Sequence, residues 1–168
     1  KEFKLLSTED TFISFKEIKG QNGTLIAFIC NHCPYVKAII EELVDVTNKL
    51  SKLGINSVAI MSNDTNNYPE DSFENMKKFS KINNFKFPYL YDETQEIAKN
   101  YGAVCTPDFF GYNKNDELQY RGRIREMKNL KPTENANDLL NAMELIAKTS
   151  NGPKQQYPSM GCNIKWKK

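Results

Sequence analysis

An apolar run that ends in two closely spaced cysteines constrains the fold of this 168-residue chain more than any other feature. Residues 24–29 form a continuous hydrophobic stretch of the kind found in buried strands. Cys30 and Cys33 follow at once, and from Pro34 the apolar side chains recur at helical spacing. The sequence therefore predicts a buried strand that leads through Cys-x-x-Cys into a helix. Such an arrangement suits thiol–disulfide chemistry.

The composition narrows the class of protein. Hydrophobic residues make up 39% and aromatic residues 11% of the chain, which is typical of a globular domain. Twenty-three basic and 21 acidic residues give a net charge of +2. This charge is too small to attract nucleic acid or an anionic membrane electrostatically. Four cysteines are too few for a disulfide scaffold and indicate catalytic thiols, and no bound cofactor is needed for their chemistry.

The hydrophobic pattern predicts a β-α-β-α-β-α-β-β-α order after an N-terminal β-hairpin. This order implies an α/β fold with a central mixed β-sheet flanked by helices on both faces. We expect one domain over residues 1–150 and a C-terminal tail, residues 151–168, that packs back on it. The predicted strands are 3–6, 11–14, 25–29, 55–61, 87–91, 109–112 and 118–121, with a helical turn at 16–20 and helices at 34–53, 69–82, 92–101 and 135–148.

The two cysteines of the motif are predicted to have different roles. Cys30 precedes the helix, where N–H groups and the helix dipole favour a thiolate, so we expect Cys30 to be the solvent-facing nucleophile. Cys33, deeper in the helix, would resolve the mixed disulfide. His32 is the only histidine, and a protonated imidazole beside Cys30 would stabilise its thiolate and make the disulfide more oxidising.

Other interpretations of the cysteines remain open at this stage. Cys30 and Cys33 are also half of a zinc site, although Cys105 and Cys162 lie far apart and offer no second pair, so we expect no metal. Cys105 is a buried hydrophobe or an auxiliary thiol, and Cys162 is a chance tail residue or a thiol that folds back toward the others. If Cys162 folds back, it would form a thiol relay with Cys105 or with the Cys30–Cys33 pair. Trp166 would then anchor the tail by packing on the domain.

Thr106-Pro107 forms a second candidate site just before an apolar strand. Proline cannot donate to a sheet ladder, which places Pro107 at the start of that strand. A cis bond here would turn the Thr106 backbone outward to pair with an extended substrate, whereas a trans bond would make this an ordinary strand start.

Several motifs together resemble the thioredoxin superfamily, and more narrowly a peroxiredoxin-like redoxin subgroup of the alkyl hydroperoxide reductase/thiol-specific antioxidant (AhpC/TSA) type. The resemblance implies a thioredoxin fold with a helix-strand insertion at 69–91 and a cis proline at Pro107. It departs from the family where Thr24 replaces a buried Asp and where Ala27 replaces the Thr of true peroxiredoxins. The matching segments are Cys30-Asn31-His32-Cys33-Pro34, Cys105-Thr106-Pro107, Tyr120-Arg121-Gly122-Arg123 and Gly161-Cys162.

The expected activity is thiol–disulfide oxidoreduction, in which Cys30 attacks, Cys33 resolves, His32 tunes the pair, and Thr106 and Pro107 orient the substrate sulfur. The partner would be a dithiol or disulfide protein, with no nucleic acid and no membrane involved. The alternatives are a thiol peroxidase with antioxidant activity, for which Arg121 or Arg123 would supply a cation, and a non-catalytic binding module. We expect a cytoplasmic location, or a periplasmic or secreted one if a signal peptide has been removed.

Overall fold

The centre of the fold is a seven-stranded mixed sheet in a computed structural model that describes residues 2–168. The strands are β1 (Lys4–Ser7), β2 (Phe12–Ser14), β3 (Gly23–Phe28), β4 (Ile55–Met61), β5 (Tyr89–Tyr91), β6 (Cys105–Thr106), β7 (Asp108–Asn113), β8 (Leu118–Gly122), β9 (Arg125–Lys128), β10 (Lys131–Asn137) and β11 (Cys162–Asn163). The sheet order is β2-β1-β5-β4-β3-β7-β8, in which β3, β4 and β5 run parallel and the others pair antiparallel. This arrangement confirms the predicted mixed α/β sheet and the N-terminal hairpin.

Within residues 2–168 six helices flank the sheet, and most of them begin at other residues than predicted. They are α1 (Phe15–Ile18), α2 (Pro34–Lys37), α3 (Ile40–Ser51), α4 (Phe73–Ile82), α5 (Glu96–Tyr101) and α6 (Asp138–Thr149). The predicted helix over 34–53 breaks at Ile39, whose φ of −120° and ψ of 3° are not helical. A 3-10 turn at Pro69–Asp71 precedes α4, and Ser72 then caps that helix through the Asn75 N–H. Asp92 lies before α5 and accepts hydrogen bonds from its first turn.

Alternate residues of β3 divide the core into two layers. Leu25 and Ala27 face α3 and α6, whereas Ile26 and Phe28 face α1 and α5. All four side chains are at most 3% exposed, because a central strand is covered on both sides. The apolar run is therefore continuous, as the sequence indicated, and it places the chain after Phe28 at one edge of a rigid sheet.

A hairpin of β9 and β10 was not predicted. In the chain it lies between β8 and α6, and α6 begins at Asp138 and not at the predicted residue 135. Its turn places Asn129 and Leu130 at positive φ, 52° and 62°. A non-glycine pair with this conformation gives no recognisable turn signal, since Asn-Gly is the usual sequence for it.

The C-terminal tail follows the sheet closely. It first runs beside the edge strand β8, where the Arg121 and Arg123 N–H groups donate to Gln156 Oε1 and to the Tyr157 carbonyl. It then crosses to β6, with which β11 pairs antiparallel. None of the helices in the described part of the chain is long and apolar enough to cross a membrane.

Candidate active site

The cysteine motif lies in the short connection between β3 and α2. The Ile29 N–H still donates to the Ile60 carbonyl, so the chain leaves the sheet only at Cys30. Cys33 is the N-cap of α2, with Pro34 as its first residue. The Cys30 and Cys33 side chains are 1% and 0% exposed. The predictions that Cys30 faces solvent and that Cys33 lies within the helix are therefore wrong.

The sulfur of Cys33 has the environment of a thiolate. Its hydrogen-bond partners include the Cys30 thiol, the Cys162 thiol and the Val36 N–H, and each of them favours the charged form. These donors outweigh burial and lower the pKa of Cys33 to about 4. Because α2 has only four residues, local N–H and S–H donors supply this stabilisation instead of a long helix dipole.

The Cys30 thiol is held in its protonated form. Its hydrogen bond to Cys33, its burial and the nearby carboxylate of Asp71 all raise the pKa of Cys30. The hydroxyl of Thr106, 3.6 Å from Cys30 Sγ, acts in the opposite direction and does not reverse the balance. In the reduced pair these contacts favour the negative charge on Cys33, which is opposite to the order expected from the sequence.

Asp71 is a site residue that the sequence analysis missed. Its side chain is fully buried, and its carboxylate accepts hydrogen bonds from the Asn31 N–H at 2.8 Å and from Asn63 Nδ2 at 2.9 Å. His32 Nδ1 lies 2.7 Å from Asp71 Oδ2, although its N–H is not aligned for a hydrogen bond. The 3-10 turn at Pro69–Asp71 brings this carboxylate to the cysteines.

The residues between the two cysteines are fixed from both sides. Tyr89 donates a hydrogen bond to Asn31 Oδ1 at 2.8 Å from within the core. The His32 ring is stacked with that of Tyr68 at a centroid distance of 6.1 Å, and its side chain is 25% exposed. His32 therefore connects the buried Asp71 carboxylate to solvent.

Cys30, His32 and Asp71 are also a potential metal-ligand set. One ligand atom from each lies within 4.8 Å of the others, and three protein ligands with a water is a known zinc arrangement. However, the carboxylate already accepts from two N–H donors and contacts the imidazole, while the Cys30 thiol is paired with Cys33. We therefore interpret the set as a buried charged network beside the thiols.

The Thr106-Pro107 segment lies against the cysteine motif. The Thr106-Pro107 bond is cis, and the Thr106 carbonyl oxygen is 3.4 Å from Cys33 Sγ. The edge of β6, which was predicted to receive a substrate strand, is paired here with Cys162–Asn163 of the chain's own tail. Cys162 Sγ lies 2.7 Å from Cys33 Sγ.

Cys105 and Trp166 contribute less than the sequence suggested. Burial raises the pKa of Cys105 to about 12, and its thiol donates to the Pro107 carbonyl at 3.7 Å. This is the environment of an unreactive buried cysteine. Trp166 is 38% exposed and contacts Lys99, whereas Ile164, at 3% exposure, is the tail residue that enters the core.

The two arginines considered for a peroxide pocket are engaged elsewhere. Arg121 donates to the Asp108 carboxylate and to the Gly102 carbonyl, and Arg123 pairs with Asp138 at 2.7 Å. Neither guanidinium is directed at the cysteine sulfurs by these contacts.

A family model matches residues 1–126 and is described as the AhpC/TSA family. The chain belongs to this family. No curated protein sequence is a significant match. The chain is similar over 99% of its length to two solved structures. One is an uncharacterized conserved protein from Geobacillus kaustophilus, with 40% identity, 89% of that chain covered and a TM-score of 0.95. The other is a hypothetical protein from Sinorhizobium meliloti, with 35% identity, 92% covered and a TM-score of 0.92.

More distant structures confirm the fold. A secreted disulfide oxidoreductase from Mycobacterium tuberculosis is 16% identical, with 87% of this chain and 95% of that chain covered and a TM-score of 0.64. These structures confirm the predicted thioredoxin fold. Together with the family match, they support a redox thiol function.

Proposed function

We propose that the protein is a thiol–disulfide oxidoreductase whose redox centre is the Cys30–Cys33 pair. The observation that carries this proposal is the meeting of the two thiols at the cis Thr106-Pro107 bond, with the Thr106 hydroxyl 3.6 Å from Cys30 Sγ and the Thr106 carbonyl oxygen 3.4 Å from Cys33 Sγ. The lowered pKa of Cys33 beside the raised pKa of Cys30 agrees with it. An acidic thiol in contact with a protonated one is the state from which a dithiol attacks a disulfide. We exchange the roles predicted from the sequence, so that Cys33 attacks and Cys30 resolves.

The reaction uses groups already in contact. The Cys33 thiolate attacks one sulfur of a substrate disulfide, forms a mixed disulfide and releases the other sulfur as a thiolate. Cys30 then loses its proton and attacks the Cys33 sulfur, which releases the second substrate thiolate and forms the Cys30–Cys33 disulfide. The His32–Asp71 pair lies within 4.8 Å of the Cys30 sulfur and receives that proton. A dithiol protein returns two electrons to the pair.

The alternative of a thiol peroxidase is tested by comparing two oxidants. Ala27 has no hydroxyl to orient a peroxide, and Arg121 and Arg123 are paired with carboxylates. In stopped-flow experiments, the reduced protein should react readily with a small disulfide. With hydrogen peroxide we expect a rate within about tenfold of an ordinary thiolate. A peroxide rate orders of magnitude higher would establish the peroxidase and overturn our ranking.

His32 is expected to set the potential of the pair. In His32→Gln the Asp71 carboxylate loses the imidazole that lies 2.7 Å away in the wild type and keeps only neutral donors, the Asn31 N–H and Asn63 Nδ2. Negative charge in the reduced pair then becomes less favourable, so the disulfide becomes harder to reduce. We expect a potential more negative by tens of millivolts, where ~30 mV is a tenfold change in equilibrium constant.

Redox titration against glutathione measures this shift. Tyr68→Phe is the matched control, because it keeps the ring on which His32 is stacked and leaves the charge unchanged. Equal potentials for wild type and His32→Gln would show that the imidazole only fills space.

A further inference from the structure

A third thiol lies in contact with the redox pair. Cys162 Sγ is 2.7 Å from Cys33 Sγ, longer than the ~2.05 Å of a disulfide and within reach of one. The contact arises because β11 pairs with β6 in a register that sets Cys162 opposite Thr106. Cys33 therefore has two potential disulfide partners, one in its own loop and one in the tail.

The tail that carries Cys162 is firmly held. The Ile164 N–H donates to the Val104 carbonyl at 3.1 Å, and the Lys165 N–H donates to Asn63 Oδ1 at 2.9 Å. Before the cysteine, a Cβ at Gly161 would lie 2.0 Å from the Thr106 carbonyl oxygen, so only glycine permits this approach. The tail is thus a fixed cover over the cysteine motif.

Because the tail covers the cysteine motif, it determines which sulfur atom is accessible to a folded partner protein. Cys30 and Cys33 are 1% and 0% exposed, whereas the side chain of Cys162 is partly exposed. A macromolecular thiol cannot reach Cys33 while the tail is in place, but it can reach Cys162. The exposed thiol is in direct contact with the buried one.

We propose that Cys162 is a third redox thiol that passes electrons from a protein dithiol to the buried Cys30–Cys33 pair. This inference rests on the proposed oxidoreductase function and adds the route by which electrons reach the Cys30–Cys33 pair. The reductant is a protein dithiol, because a bulky partner needs an exposed sulfur such as Cys162, whereas a small dithiol depends on one less.

The exchange balances in three steps. Starting from the Cys30–Cys33 disulfide, the Cys162 thiolate attacks Cys33, so the Cys33–Cys162 bond forms and the Cys30–Cys33 bond breaks. Cys30 leaves as a thiolate and takes up a proton in place of the one that Cys162 lost. The partner's first thiolate then attacks Cys162 and releases the Cys33 thiolate. Its second thiol completes the partner's own disulfide and releases Cys162, so two electrons have entered the pair.

The acidity of Cys162 fits this order of events. Burial and the hydrogen bond to Cys33 raise the pKa of Cys162 to about 11 in the reduced protein. When Cys33 is part of a disulfide, its negative charge is gone and that contribution disappears. Cys162 is therefore a better nucleophile when the pair is oxidised, which is when the exchange must occur.

Disulfide mapping tests the connectivity, because trypsin places the cysteines in three peptides. Cys30 and Cys33 fall in residues 20–37, Cys105 in 100–114 and Cys162 in 155–165. After diamide oxidation of Cys30→Ser, we expect residues 20–37 to be linked to 155–165. The link should persist in Cys30→Ser with Cys105→Ser, and should be absent from Cys33→Ser. A Cys162 that remains alkylatable in oxidised Cys30→Ser would overturn the proposal.

Reduction kinetics test the route. With reduced thioredoxin as the protein dithiol, oxidised Cys162→Ser should be reduced about tenfold or more slowly than wild type, and Cys105→Ser at the wild-type rate. With dithiothreitol, the Cys162→Ser defect should be smaller. Equal rates with thioredoxin for wild type and Cys162→Ser would refute the relay. A wild-type protein that forms no reversible Cys30–Cys33 disulfide would instead refute the oxidoreductase function itself.

Discussion

Cys33→Ser is expected to lose disulfide exchange almost entirely, by about a thousandfold or more, because it removes the acidic sulfur on which both steps depend. The hydrogen bond from Cys30 and those from Cys162 and Val36 converge on this atom. The reaction of the reduced protein with a small disulfide measures the loss, and Cys105→Ser, which removes a buried thiol of raised pKa, is the matched control. A Cys33→Ser variant that keeps its initial attack while Cys30→Ser loses it would restore the roles predicted from the sequence.

The stability of the reduced protein should depend on pH because the pKa of Cys33 is lowered in the folded state. The pKa of Cys33 is lowered to about 4, below that of an unfolded thiol, so the folded protein releases this proton at a lower pH. The free energy of unfolding of the reduced protein therefore gains from Cys33 as pH rises above about 4. This gain is complete above the unfolded pKa of ~8.5 and is lost as pH falls through about 4. Thiolate absorbance near 240 nm in reduced wild type, absent from Cys33→Ser, locates the transition.

Asp71→Ala should have the largest effect on stability, lowering the free energy of unfolding by about 3–5 kcal/mol. The change leaves the Asn31 N–H and the Asn63 amide without their buried acceptor and removes the partner of His32. Urea unfolding of the reduced protein measures it. Its exposed neighbour Glu70 provides the control, since Glu70→Ala should change stability by less than ~0.5 kcal/mol.

Asp71→Asn separates charge from hydrogen bonding. An amide oxygen still accepts one N–H, so we expect a smaller loss of stability than in Asp71→Ala. The negative charge that raises the pKa of Cys30 is gone, so that pKa should fall. An unchanged rate of Cys30 alkylation in Asp71→Asn would show that the carboxylate does not act on this thiol.

The parts of the site that the sequence predicted are local ones. Residues 24–29 and Cys30-x-x-Cys33 are adjacent in the chain, so hydrophobic pattern and motif suffice to place them at a strand end. The acidity of the two sulfurs could not be predicted from the sequence because it depends on contacts across the fold. Cys162 contacts Cys33 from 129 residues away, and no periodicity encodes that approach.

Asp71 shows a second limit. The segment Pro69-Glu70-Asp71 has the proline and acidic residues of a helix start, and this pattern predicts a helix from Pro69. The chain instead forms a 3-10 turn and α4 begins after Ser72, which directs Asp71 into the site. A carboxylate with no apolar neighbours in sequence gives no sign that it will be buried.

The course of the tail beside β8 bears on how separate molecules behave toward each other. An edge strand with free N–H and C=O groups is a template for pairing with another chain. Here Gln156 donates to the Gln119 carbonyl and accepts from the Arg121 N–H, and Ser159 donates to the Gly122 carbonyl. Shortening the chain before residue 152 would expose this edge together with the cysteines. Such a truncated protein would be prone to intermolecular strand pairing and to random cross-linking through its thiols.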